Sequence, residues 1–288
     1  MNHSGINVRS AIGVGVDLSP TPRQYSGNPA RQQELELKLA TLQKDYADLA
    51  AALFDAMQVH RRLCAPRLVR HGDFEIASEI FPVRYLPGDF FTVEEVGGSV
   101  ILALGDICGH GLAAGMWTTH LVGLIGAQTV LSSMPEEIVT GVNRDLCRRS
   151  PASPFASLFL ARLDPVTGNL DYCSAGHPPA LLLRADGQME SLFEGGPLVG
   201  VVPEASFERG NVGLRAGDIL LAYSDGILES FNNSEQEFGY ERLETELRRA
   251  RTGSADGVLF SVLGAVQDFA ATHSQADDMS LVVIDCRN

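Results

Sequence analysis

Acidic side chains recur where buried strands are predicted to end. Asp106 follows the apolar run Val100–Leu104, and a glycine-rich segment comes after it. Carboxylates gathered at strand ends repel one another unless a cation lies between them, and Mg²⁺ and Mn²⁺ prefer such oxygen ligands. A pair of these ions can activate a shared water for attack on phosphorus. The residues that share this context are Asp89, Asp106, Asp225, Asp277 and Asp278.

Each acidic motif is weak on its own. Asp225 is followed by Gly226, and an Asp-Gly pair after a strand is more often a turn than a metal ligand. The spacing matches no local metal signature such as an EF-hand loop. The residue pattern alone therefore leaves a two-metal hydrolase and a set of ordinary turns as alternatives.

Composition excludes several classes of protein. The formal net charge of -14 disfavours binding to nucleic acid or to an anionic membrane surface. The 5 cysteines are scattered, without zinc-site spacing or a disulfide framework. No apolar run reaches the roughly 18 to 20 residues that would span a bilayer, and no signal peptide is evident. We expect a cytoplasmic protein.

The N-terminal part predicts a helical arm. Residues 1–30 are rich in Gly, Ser, Pro and Asn and predict a flexible tail, and residues 31–65 follow as a helix that Pro66 ends. This helix is either a single amphipathic helix or one strand of a two-stranded coiled coil. Its apolar residues recur every 3.5 residues along one narrow stripe, the seam, which favours the coiled coil and a homodimer through residues 35–63. The seam residues are Leu35, Leu39, Leu42, Tyr46, Leu49, Leu53, Ala56, His60 and Leu63.

Residues 66–288 predict a globular domain of strands and helices. Strand-like runs joined by hairpins, such as the one at 164–168, outnumber crossover helices, so the sheets should be mostly antiparallel and the class α+β. Helices are predicted over about 112–131, 135–149, 238–251 and 255–272.

Six blocks in this order resemble the metal-dependent type 2C (PPM) protein serine/threonine phosphatases, in the bacterial branch of RsbU and SpoIIE. The resemblance runs from about Arg62 to Arg287. The blocks are 67–68, 87–91, 105–111, 174–179, 224–229 and 277–281.

The resemblance implies a four-layer αββα sandwich with two Mn²⁺ or Mg²⁺ ions at one end. By motif, Asp106 would bridge the metals, the Ile107 carbonyl would complete a coordination shell, and Asp225 with Asp277 would hold the second ion. Asp278 is the alternative to Asp277, and Asp89 would contact the metals directly or through water. His110 is either the general acid or a turn residue, whereas His177 is expected to be structural.

The resemblance also implies a substrate, a phosphoserine or phosphothreonine on a STAS-type anti-anti-sigma protein in a partner-switching pathway. The segment that begins at Pro87 differs from relatives at two positions, since Pro87 replaces a Gly and Thr92 replaces an Asp. The alternative function is therefore a dimeric docking scaffold of the same fold with weak or no catalysis.

Overall fold

The computed structural model of the protein describes residues 28–63, 67–83, 86–109, 111–149 and 154–287. The chain divides into two compact units, Met1–Ala50 and Ala51–Asn288. Most of the predicted flexible tail lies outside the described residues, and so does Pro66. The division of the chain at residues 30 and 65 stays a prediction.

Six helices and twelve strands make up the described part of the chain. The helices are α1 (Pro29–Leu63), α2 (Leu112–Thr129), α3 (Pro135–Arg149), α4 (Asp225–Leu228), α5 (Gly239–Ala250) and α6 (Ala255–Ala270). The strands are β1 (Leu68–His71), β2 (Phe74–Phe81), β3 (Asp89–Val96), β4 (Ser99–Ile107), β5 (Ala156–Leu163), β6 (Asn169–Ala175), β7 (Ala180–Leu183), β8 (Met189–Leu192), β9 (Gly195–Gly196), β10 (Gly210–Gly213), β11 (Ile219–Tyr223) and β12 (Met279–Cys286).

The strands form two sheets. The first has the order β1-β2-β12-β11-β7-β8, and the second has the order β10-β6-β5-β4-β3 with β9 beside β6. Every pairing is antiparallel except that of β6 with β9. This agrees with the prediction of mostly antiparallel sheets, because hairpins connect neighbouring strands in both of them.

Three apolar clusters hold the layers together. One lies between the sheets and includes Leu104, Phe159 and Leu220. A second packs α5 and α6 on the first sheet, and a third packs α2 and α3 on the second sheet. Helices therefore cover both outer faces, which confirms the predicted αββα arrangement. Among the described helices, none is both long enough and apolar enough to cross a membrane.

Candidate metal centre

The space between the sheets changes from apolar to polar at one end. Alternate residues of a strand share a face, so Asp106 continues the inward face of Leu102 and Leu104 on β4. On the facing sheet, Ser280 continues the inward face of Val282 and is fully buried. The polar residues of this end are Ser78, Asp89, Asp106, Ser157, Ser174, Ser224 and Ser280.

Asp89 and Asp106 form the inner pair of carboxyl groups. They lie directly opposite each other at the end of the β3–β4 pairing. Burial, and then the charge of Asp106, raise the pKa of Asp89 well above its ordinary value. Burial, followed by the charges of Asp225 and Asp277, raises the pKa of Asp106 to about 7, and the interaction with Asp89 opposes the rise. Two such groups cannot both be ionised cheaply without a cation.

Asp225 and Asp277 face this pair from the other sheet. Asp225 begins α4 directly after β11, and burial followed by the charge of Asp277 raises the pKa of Asp225. Asp277 is exposed, and its Oδ1 accepts a hydrogen bond from the Asp278 backbone N–H at 2.8 Å. The structure thus brings three sequence-predicted site residues, Asp106, Asp225 and Asp277, into mutual electrostatic contact.

Asp278 is engaged differently from Asp277. Its side chain is buried, and its two carboxyl oxygens accept hydrogen bonds from the backbone N–H groups of Val83 and Gly88, each at 2.7 Å. Both oxygens of Asp278 are therefore used to hold the chain that leads into β3. Among the described residues of this segment, none is hydrogen-bonded to Asp277.

Substituting the two residues separates these roles. In Asp278→Asn the amide N–H₂ faces a backbone N–H group, so a buried donor loses its acceptor at a cost of about 1–3 kcal/mol. We expect a lower melting temperature for Asp278→Asn in EDTA and an unchanged or higher one for Asp277→Asn, because the Asp277 charge repels Asp106 and Asp225. Mn²⁺ titration calorimetry should show the larger loss of affinity in Asp277→Asn, and the reverse pattern would assign the ligand to Asp278.

Gly88 is the point where three segments meet. Its N–H group donates to Asp278, and its carbonyl oxygen accepts from the Ile107 N–H at 3.2 Å and from the Thr118 hydroxyl at 3.0 Å. A Cβ at this position would lie 3.0 Å from both Asp106 Oδ1 and the Ile107 carbonyl oxygen. The absence of a side chain therefore lets the loop approach the carboxylate and the carbonyl that the sequence predicted as ligands.

The residues of this end fit a divalent cation that retains water. Asp89 Oδ2 is buried and has no hydrogen-bond partner. Across the described ranges, no three His, Cys, Asp or Glu side chains form a ready-made metal cage. Mg²⁺ is commonly held by one or two carboxylates together with several waters, so a cage of three side chains is not required. The orphaned oxygen and the converging acidic groups thus suit such an ion.

The sequence contains two candidate site histidines, His110 and His177. His110 lies outside the described residues. His177 is buried, its Nδ1 lies 2.8 Å from Ser157 Oγ, and its Nε2 has no hydrogen-bond partner. Burial lowers the pKa of His177 to about 3, although the nearby Tyr223 carbonyl opposes this shift. His177 is thus a neutral interior residue behind Ser157, a role that the Gly-His-Pro turn alone did not reveal.

Thr92 lies on the face of β3 opposite to that of Asp89. It pairs with Ala103, which packs under the helices of the second sheet. A carboxylate at position 92 would therefore point away from the acidic end. The replacement of Asp by Thr removes no acidic side chain from this centre.

Comparisons with known proteins agree with this geometry. The family of stage II sporulation protein E (SpoIIE) matches residues 96–287. Protein IcfG of Synechocystis is 23% identical over 242 residues, which cover 73% of this chain and 38% of IcfG. Phosphoserine phosphatase RsbU of Bacillus subtilis is 21% identical over 190 residues, which cover 66% of this chain and 57% of RsbU. The chain thus spans well under two thirds of either relative.

Solved structures share the fold. The SiaA-PP2C domain of Pseudomonas aeruginosa superposes with a TM-score of 0.74 at 19% identity, covering 85% of this chain and 99% of that domain. The phosphatase domain of SpoIIE from Bacillus subtilis, solved with a regulatory fragment, gives a TM-score of 0.63 at 19% identity, covering 76% of this chain and 64% of that one. The chain therefore belongs to the SpoIIE family of PPM-type phosphatase domains.

Proposed function

We propose that this chain is a metal-dependent protein serine/threonine phosphatase. The observation that carries the proposal is the convergence of Asp106, Asp225 and Asp277 at the polar end of the sandwich, where burial and mutual repulsion raise the pKa of Asp106 to about 7. Perturbed carboxyl groups collected in one place are typical of a functional site. Family membership supports the same activity.

The proposed ligands divide between two ions. Asp106, the Ile107 carbonyl, Asp225 and Asp277 would hold two Mn²⁺ or Mg²⁺ ions. When bound, the cations supply an activated water and neutralise charge on the phosphoryl group. Asp89, which lies opposite Asp106 in the β3–β4 pairing, would contact the ions directly or through water. His110 remains the candidate general acid for the leaving seryl oxygen.

The proposed substrate is a phosphoserine or phosphothreonine on a STAS-type regulatory protein. RsbU, one of the relatives, carries the name of a phosphoserine phosphatase. Incubation with phosphorylated STAS proteins, with Mn²⁺ and with EDTA, tests the proposal by mass spectrometry of the phosphopeptide. The phosphopeptide should lose the mass of HPO₃, about 80 Da, with Mn²⁺ and not with EDTA. No loss under either condition would favour the docking scaffold.

We further propose that α1 forms a homodimer through its seam. Leu39 and Leu42 are 56% and 66% exposed, whereas His60, at the C-terminal end of the seam, is 5% exposed. Most of the exposed seam residues lie toward the N-terminal end of α1, and Leu63 at the C-terminal end is also 41% exposed. Two such helices would bury the leucines against each other.

Seam substitutions test the dimer. Leu39→Gln with Leu42→Gln should shift the mass measured by light scattering from two chains toward one, because each loses its apolar partner. Leu37→Gln is the matched control, since Leu37 is 70% exposed on the same helix but lies off the seam. A monomeric wild-type protein, or equal effects of both changes, would contradict the proposal.

A further inference from the structure

Helix α2 approaches the loop that leads into β3 at two points. We call the described residues Val83 and Leu86–Gly88 the entry loop. The hydroxyl of Thr118 on α2 lies 3.0 Å from the Gly88 carbonyl oxygen, and Thr118 is 1% exposed. One turn earlier, a Cβ at Gly115 would lie 2.7 Å from Leu86 Cβ. The helix and the entry loop are therefore in close contact through both a polar and an apolar pair.

Two carbonyl oxygens lie within hydrogen-bond distance of the Thr118 hydroxyl. The hydroxyl also lies 3.0 Å from the Ala114 carbonyl oxygen, which is the common bond of a helical threonine to the preceding turn. Its neighbour Thr119 makes the equivalent bond, to the Gly115 carbonyl oxygen at 3.0 Å, and no other within the described ranges. Thr118 is buried and contacts Gly88, whereas Thr119 is exposed and makes the bond within the helix alone among the described residues.

The Gly88 peptide unit transmits this contact to the proposed ligands. Its carbonyl oxygen also accepts the Ile107 N–H, and Gly88 precedes Asp89 directly. The Gly88 N–H donates to the Asp278 carboxylate, and the Gly88 carbonyl oxygen accepts from the Thr118 hydroxyl. Hydrogen bonds on both sides therefore fix the position of Gly88. A ligand that is held in this way loses less freedom when it binds an ion.

We propose that Thr118 is a positioning residue for the metal centre, acting through the Gly88 carbonyl on Asp89 and Ile107, and that Gly115 permits the close approach this requires. The inference rests on the proposed metal-dependent function. Thr118 touches neither substrate nor cation. Its effect is on the affinity for the cations, since it orders the loop beside the ligands.

Two pairs of variants test the proposal on the full chain. Thr118→Val removes the hydroxyl at constant shape, and Thr119→Val is its matched control. Gly115→Ala adds a methyl group against Leu86, and Gly123→Ala is its control, because a Cβ at Gly123 meets nothing within 4 Å. Mn²⁺ affinity is measured by calorimetry, stability by melting in EDTA, and kcat and KM with p-nitrophenyl phosphate at saturating Mn²⁺.

We expect Thr118→Val and Gly115→Ala to bind Mn²⁺ about 10-fold more weakly than wild type, which is the usual loss for residues that orient ligands. Both control variants should bind Mn²⁺ within about twofold of wild type. Thr118→Ser should restore the affinity, and saturating Mn²⁺ should restore kcat with an unchanged KM. The proposal is overturned if Thr118→Val equals Thr119→Val, or if it lowers only the melting temperature. A wild-type protein without Mn²⁺ affinity would overturn the proposed function as well, whereas wild-type binding with equal variants would overturn this inference alone.

Discussion

Asp106→Asn and Asp225→Asn will each reduce Mn²⁺-dependent hydrolysis of p-nitrophenyl phosphate by at least about 10²–10³-fold, the loss typical when one group that stabilises transition-state charge is removed. Asparagine keeps the shape of the side chain but lacks the charge that a divalent ion requires. Both residues lie at the polar end of the sandwich, where Asp225 contributes to the raised pKa of Asp106. Turnover is measured at saturating Mn²⁺ so that kcat is compared directly.

A matched substitution separates this effect from a general loss of charge. Asp186 lies in the β7–β8 hairpin, where its side chain accepts the Gln188 backbone N–H, far in the chain from any proposed ligand. Asp186→Asn should keep wild-type turnover. If Asp225→Asn retains full Mn²⁺-dependent activity, Asp225 is not a ligand and the proposed centre is wrong.

The second large effect concerns stability without metal. The pKa of Asp106 is raised to about 7 in the folded protein, while an unfolded aspartate titrates near 3.9. Between about pH 4 and pH 7 the folded state therefore holds a proton that the unfolded state has lost, so stability falls as pH rises through this window. Asp89 and Asp225, whose pKa values are also raised, act in the same direction.

Melting in EDTA measures this dependence. From pH 4 to pH 7 the contribution of these carboxyl groups should lower the melting temperature by about 5–10 °C, and Asp106→Asn should reduce the slope. Mn²⁺ should raise the melting temperature most at pH 7 and above, where the carboxylates are ionised. Equal pH dependence of wild type and Asp106→Asn in EDTA would show that Asp106 titrates normally.

Much of the fold could be predicted because its strands are apolar runs with clear ends. The run Val100–Leu104 lies in β4, and the helix predicted to begin after Pro135 is α3, Pro135–Arg149. β3 was not predicted, since the sequence pattern places Asp89 at the end of a strand and indicates no strand over residues 89–96. The register of β3 with β4 makes Asp89 a strand residue opposite Asp106.

The arrangement of the candidate site was only partly predictable. The strand-end pattern identified Asp106, Asp225 and Asp277 as one group, and their electrostatic contact in the structure agrees with this grouping. The separate engagement of Asp278 depends on bonds to Val83 and Gly88, which lie 195 and 190 residues away in the chain. No local pattern records such a pairing, so the sequence left Asp277 and Asp278 as alternatives.

The polar end of the sandwich has a consequence for how the molecule opens. Over most of its depth the contact between the sheets is leucine, phenylalanine and similar side chains, but at this end it is serine and aspartate, several with buried oxygens that have no partner. Local opening follows the weakest packing. Amide hydrogens of β3 and β12 near Asp89 and Ser280 should therefore exchange with deuterium before those at the apolar end, and divalent ions should slow that exchange. The rigidity of the proposed metal centre would then depend on the supply of divalent cations.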